Sequence, residues 1–193
     1  NLAYQLDRRY RVAHHGVELL PPSAGPMSAQ TFTPGTVWQD DEMTVTSFLV
    51  DHHPIHPAVG YRFDYQGRSV VISGDTNASE SLFTAAKDAD IVFHDALARH
   101  TLDIMRNAMA AAGLSSVAQI VTDVIDYHAD TLTLEEGANA AGVELLVLYH
   151  LVPTPLNDMT ESMFKRGLGD STLLAHDLQT FELPAQSDEI IIR

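Results

Sequence analysis

The sequence predicts an α/β domain, and three observations carry that prediction. Short β-branched and apolar runs alternate with stretches of helical spacing, the pattern of strands joined by crossover helices. Several of those runs stop on a His or an Asp, as strand ends do where an α/β fold collects its site. The chain has 193 residues and no apolar run of membrane-spanning length, so one core over 1–193 is expected.

Taken in order, residues 1–40 read as irregular, with the Gly, Pro and Ser of "LLPPSAG" and "FTPGTVWQDDE" marking loop and a short strand expected over 17–20. "MTVTSFLV" (43–50) is a strand that runs into Asp51, His52 and His53. "GYRFDYQGRSVVISGDT" is a hairpin with strands near 60–65 and 68–73 across Gln66 and Gly67, ending on the turn Gly74, Asp75, Thr76. "SESLFTAAKDA" has helical spacing, and "DIVFHDAL" is a buried strand ending at His94 and Asp95.

Leu102, Met105, Met109, Val117, Ile120, Val124 and Ile125 space two helices, broken at "GLSS", with Ser115 or Ser116 as the second cap. His128 follows. "TLTLEEGANAAG" is a helix with Thr131 or Thr133 as cap and Gly142 as stop, and "VELLVLYH" is a buried strand ending at His150. The tail reads as a helix over 158–167 and an edge hairpin formed by "STLLAHD" and "QTFELP". No internal repeat or domain boundary stands out.

Composition narrows the chemistry. Eleven Lys and Arg against 26 Asp and Glu give a formal charge of −15, which disfavours long-range attraction to nucleic acid or an anionic membrane. The absence of cysteine excludes disulfides, thiolate metal sites and a cysteine nucleophile, and leaves the compartment open. Any metal must come through imidazole and carboxylate. One strand-end His is ordinarily a cap or surface residue, but His52, Asp75, His94 with Asp95, and His150 repeat the placement, and repetition points to a metal centre.

"VDHHPIHPAVGYRF", "VVISGDT", "IVFHDAL", "DYH" and "VLYHLVP" stand in the order and approximate spacing of the metallo-β-lactamase superfamily, and resemble its ribonuclease Z-like and arylsulfatase-like branch. "HHG" and "LLPP" near the start resemble that branch too. The resemblance implies an αββα sandwich, present here as its C-terminal part. It makes His52 a ligand, Asp75 the carboxylate bridging two metals, and His150 a ligand of the second metal. His52 is preferred because it directly follows Asp51 and stands eight positions before Gly60, which leaves His53 and His56 as neighbours. "FHDAL" is similar to the branch's "HEA", with Asp95 in place of Glu, and in that branch the acid pairs with the histidine corresponding to His128, which protonates the leaving group. The alternative for Asp95 is a cap on the following helix.

The cofactors so implied are two divalent ions, zinc with manganese or iron as alternatives. Two ions can bridge a hydroxide and clamp a phosphoryl, sulfuryl or acyl oxygen. The superfamily's HxHxDH cluster has no counterpart: His14 and His15 are adjacent and no other pair fits. The start without Met agrees with an absent N-terminal motif half. Three ligands are expected to bind metal weakly and not to turn over, and a half-sandwich is expected to expose one sheet face, with self-association or a homodimer as the consequence.

The implied function is hydrolysis of a small phosphodiester, sulfate ester or related ester. Transfer-RNA 3′ processing is less favoured, because the branch's substrate arm lies between the ligand His and the bridging Asp, and here the 23 positions from His52 to Asp75 are filled by the hairpin. The competing expectation is a non-catalytic binding domain that kept the fold without HxHxDH. An upstream HxHxDH would decide for the enzyme.

Overall fold

The computed structural model describes residues 2–16, 18 and 30–193, and divides into two compact units, residues 1–33 and 34–193. The strand expected over 17–20 lies outside the described residues except for Glu18.

The first unit corrects the loop expected at the start. Helix α1 (Leu2–His15) is 14 residues long, because the Pro, Gly and Ser that suggested a loop all come later. Its own residues are dominated by Leu, Ala, Gln and Arg, which lose little side-chain freedom in a helix. His14 and His15 stand in the last turn, where cations complement the helix dipole, and Gly16 closes it at φ +85° with its N–H on the Val12 carbonyl.

The second unit begins with strands β1 (Gly35–Gln39), β2 (Met43–Val50), β3 (Ala58–Tyr65) and β4 (Arg68–Ile72), an antiparallel meander. β1 is a further correction, since its five residues also fell in the stretch read as loop. The β1–β2 turn is held by the Asp40 carboxylate, which accepts from the Glu42 and Met43 amides. Between β3 and β4, Gln66 and Gly67 both take positive φ, +47° and +82°, the turn whose twist matches that of the strands it joins.

Parallel strands follow: helix α2 (Glu80–Ala85), β5 (Ile91–Leu97), helices α3 (Arg99–Ala111), α4 (Ser115–Val124) and α5 (Thr131–Ala140), β6 (Leu145–Val152), helix α6 (Asp158–Phe164) and β7 (Thr172–Leu174). β1 to β7 lie side by side in chain order, and each parallel step from β4 onward is bridged by helix, as crossover geometry requires. The expected edge hairpin is not formed. β7 pairs in parallel with β6, while β8 (Phe181–Glu182) pairs with β9 (Ile191–Ile192) in a separate two-stranded sheet. Phe181 and Leu183 turn away because they pack on the apolar side chains of Ile91, Leu145 and Val147.

Helix starts were only partly legible. Ser79 caps α2 through its side chain, and Asn157 with Thr160 forms a reciprocal cap on α6. The caps expected from Ser115 or Ser116 and from Thr131 or Thr133 are absent; Leu114 and Asp130 take those positions without a side-chain bond. The reason at α4 is that α3 closes with the Gly113 N–H on Ala110 and the Leu114 N–H on Met109, so Ser115 is already helical when the chain leaves that closure.

One sheet face carries the larger core, where Leu82, Leu134, Leu148 and Phe164 are fully buried, each burial contributing about 1.5–3 kcal/mol. The β8–β9 segment covers the opposite face over β5 to β7. Over β1 to β4 that face leaves Trp38, Leu49, Tyr65 and Ile72 exposed.

Candidate active site

The segments after β2 and β4, the last turns of β5 and β6, and the segment before α5 meet at one end of the sheet. Residues 128–130 run beside β5: the Leu97 N–H bonds the Ala129 carbonyl at 2.8 Å, and Leu97 bridges in parallel to Asp130. That pairing carries His128 to within reach of a short Asp side chain. His128 Nδ1 lies 2.6 Å from Asp95 Oδ2, with Asp95 fully buried and His128 6% exposed. Asp95 Oδ1 accepts from the Thr76 N–H at 3.1 Å and lies 3.0 Å from His94 Nδ1. A helix-capping role for Asp95 is thereby excluded, because Ala98 precedes α3 and both carboxylate oxygens are engaged.

Burial alone would raise the Asp95 carboxyl. The hydrogen bonds and charges of His128 and His94 outweigh it and hold the group below the ordinary carboxylate range. An ionised Asp95 accepts the Nδ1–H of His128, which leaves Nε2 as that ring's free nitrogen. Tyr149 shifts the other way: burial pushes its phenol up, and Asp95 and Asp75 add to the push against the hydrogen bond with Ser73.

His150 does not end its strand, since β6 continues to Val152 just as β5 continues past Asp95 to Leu97. It is instead the extra residue of a bulge: Tyr149 faces Asp95 and Leu151 faces Ala96, while His150 has no partner and sits at φ +47°. For a non-glycine residue that backbone costs on the order of 1–2 kcal/mol. The bulge re-aims the imidazole, placing Nε2 3.8 Å from Asp75 Oδ2, with both side chains nearly half exposed. The His150 ring also stacks on His128, with 5.4 Å between centroids.

His52 follows β2, with its ring 6.5 Å from His128 in an edge-on contact and 5.2 Å from Tyr127. Its Nδ1 is buried and has no hydrogen-bond partner. His53 and His56 are exposed on the turn beyond it, and His94 is fully buried against Asp95. Asp75, His150, His128 and His52 therefore form one contiguous row. Sequence reasoning passed over Thr76, whose signal was its place beside Asp75 in "GDT", and Tyr149, whose signal was its place beside His150.

Neutral imidazole with carboxylate is a donor set suited to zinc, manganese or iron. The residues fit such an ion in kind: His52 keeps an unbonded buried nitrogen, and the His150–Asp75 distance exceeds a hydrogen bond, near the about 3–3.5 Å between neighbouring ligands of one ion. The set is open, since among the described residues no three His, Asp or Glu groups come together closely enough to hold an ion. Beside His128 lies a cavity of about 210 Å³ lined by Asn77, Leu97, Arg99, Ile125, Asp130 and Thr133 among others. No helix among the described residues is long and apolar enough to cross a membrane.

No protein-family model matches the chain. It is 33% identical over 152 residues to a ribonuclease Z of Mycolicibacterium gilvum, which covers 79% of this chain and 48% of that protein. It is 31% identical over 187 residues to a ribonuclease Z of Mycobacterium marinum, covering 95% and 62% respectively. The chain thus spans about half the length of the curated relatives it matches. Among solved structures, the metallo-β-lactamase fold protein YhfI of Bacillus subtilis superposes with a TM-score of 0.51 at 18% identity, over 75% of this chain and 51% of that one. The chain belongs to the metallo-β-lactamase superfamily, in its ribonuclease Z-like branch.

Proposed function

We propose that the chain carries the proton-donating half of a metal-dependent phosphodiester hydrolase. The observation that carries this reading is the buried 2.6 Å pair of Asp95 and His128, stacked against His150 beside Asp75. His52, Asp75 and His150 would hold divalent metal, which when bound supplies an activated hydroxide and neutralises phosphoryl charge. His128 gives the proton on Nε2 to the departing oxygen, and Asp95 fixes the ring and stabilises the imidazolium before transfer. For an alcohol leaving group the neighbouring cavity has room, since about 150 Å³ already admits a benzene-sized ring.

The ester class follows from the relatives' name, ribonuclease Z, which favours a phosphodiester over a sulfate ester. The sequence-based expectation against nucleic acid finds no support in those relatives. Within this chain, however, a charge of −15 and a His52–Asp75 interval filled by the β3–β4 hairpin leave little surface for gripping a long RNA. A short phosphodiester or an RNA 3′ end is the reading that satisfies both. A fold-retaining binding domain is the weaker alternative, because no binding role calls for a buried Asp–His pair beside a bulged His150.

The test is hydrolysis of bis(p-nitrophenyl) phosphate and of p-nitrophenyl sulfate by the longest natural form that carries these residues, with His150→Ala as control. Phosphodiester cleavage abolished by the substitution supports the reading. Preferential sulfate cleavage, or equal turnover by the variant, overturns it.

A further inference from the structure

The segment from Ser73 to Asn77 does more than present Asp75. Thr76 is fully buried. Its hydroxyl accepts from the Asp51 N–H at 3.0 Å and lies 3.0 Å from the Asp51 carbonyl and 2.9 Å from the Asn77 carbonyl, to one of which it donates. Its own N–H holds Asp95 Oδ1 at 3.1 Å. The next residue extends the same frame: the Asn77 N–H bonds the Asp51 carbonyl at 2.8 Å, and its side-chain amide bonds the Asp126 carbonyl at 2.8 Å. Asp51 precedes His52, and Asp126 lies two positions before His128.

We infer that Thr76 is the positioning residue that sets the His52 segment in register with the Asp95–His128 pair, its hydroxyl holding one and its amide the other. The inference takes from the proposed function only that these residues form one site. Thr76 touches no substrate and acts through the groups it holds. The hydroxyl is irreplaceable by a methyl of the same shape, because the Asp51 N–H would then lose its acceptor and the fully buried position 76 its link to that segment. Serine keeps the acceptor and donor and loses only a methyl group.

The experiment compares wild type with Thr76→Val, Thr76→Ser and a core control, Ile91→Ala, in which a fully buried side chain at the far end of β5 is truncated. Two readouts are followed by NMR: exchange protection of the Asp51 amide, and the His128 Nδ1–H resonance held by Asp95. Thr76→Val is expected to lower Asp51 protection by about tenfold or more and to broaden or shift the His128 resonance. Thr76→Ser is expected to stay within about twofold of wild type in protection, and Ile91→Ala to lose melting temperature while keeping the His128 resonance. Wild-type behaviour of Thr76→Val, or the same local loss in Ile91→Ala or Thr76→Ser, overturns the inference. Neither readout needs metal or turnover, so a failed hydrolysis assay leaves this result decisive.

Discussion

His150 is the residue of β6 that faces no partner on β5, and that vacancy in the register is what brings its Nε2 to 3.8 Å from Asp75 Oδ2. Strand pairing alone would have given the position to a side chain fixed by the pleat. The bulge trades a ladder position and a left-handed backbone for an imidazole aimed at a carboxylate.

That trade is measurable. In His150→Gly the left-handed conformation loses its Cβ penalty of about 1–2 kcal/mol, while glycine's extra unfolded-state freedom takes back about 0.5–1 kcal/mol. Urea denaturation is expected to show a variant as stable as wild type or up to about 1.5 kcal/mol more stable. His150→Ala keeps the penalty and gains nothing. A His150→Gly protein destabilised by more than the alanine variant would contradict the account of the bulge.

The Asp95–His128 pair predicts an acid limb of stability. Asp95 is held below the unfolded carboxylate value, so its contribution is fully present above about pH 4 and is lost as pH falls through the lower folded value. Asp95→Asn is expected to destabilise by about 1–3 kcal/mol at neutral pH and to flatten the fall in urea midpoint below about pH 4. Asp40, held low by the Glu42 and Met43 amides, and Glu161, held low by Lys165, remain in both proteins and cancel in the difference. An unchanged acid limb in the variant would count against the pair.

Gly137 in α5 gives a prediction whose sign is decided by packing. Alanine is favoured over glycine in a helix by about 1 kcal/mol. A Cβ at 137, however, would run into the tip of the Phe83 ring, itself packed on the main core. Gly137→Ala is therefore expected to lower stability by about 1–3 kcal/mol, and Phe83→Leu in the same protein to recover part of it. Thermal unfolding of the three proteins checks both halves.

How much of this was readable in the sequence differs from element to element. β2 coincides with the predicted run 43–50, and the β3–β4 hairpin with its Gln66–Gly67 turn, because alternation and turn chemistry are local signals. α1 and β1 were obscured by the Pro and Gly between them, which coloured the whole stretch as loop. The tail misled for the opposite reason: two short apolar runs suggested a hairpin with each other, while β7 pairs with β6 across the α6 crossover and β8 with β9 further along the tail. At the site, residue types and their order were legible, and the contact of Asp95 with His128 is explained by the Leu97–Asp130 bridge, which no local pattern announces. The bulge at His150 and the links made by Thr76 are register and hydrogen-bond facts, visible only once the strands are paired.

On the proposed reading, His52, Asp75 and His150 offer metal ligands around His128 without closing a site. Its most direct test is calorimetric titration of this chain with zinc, paralleled by Mn²⁺ broadening of the histidine ring signals. Weak binding is expected, with the rings of His52, His128 and His150 broadened well before those of His14, His100 and His176, and the effect lost in Asp75→Ala. Two tight zinc sites, or broadening spread evenly over all the histidines, would contradict it.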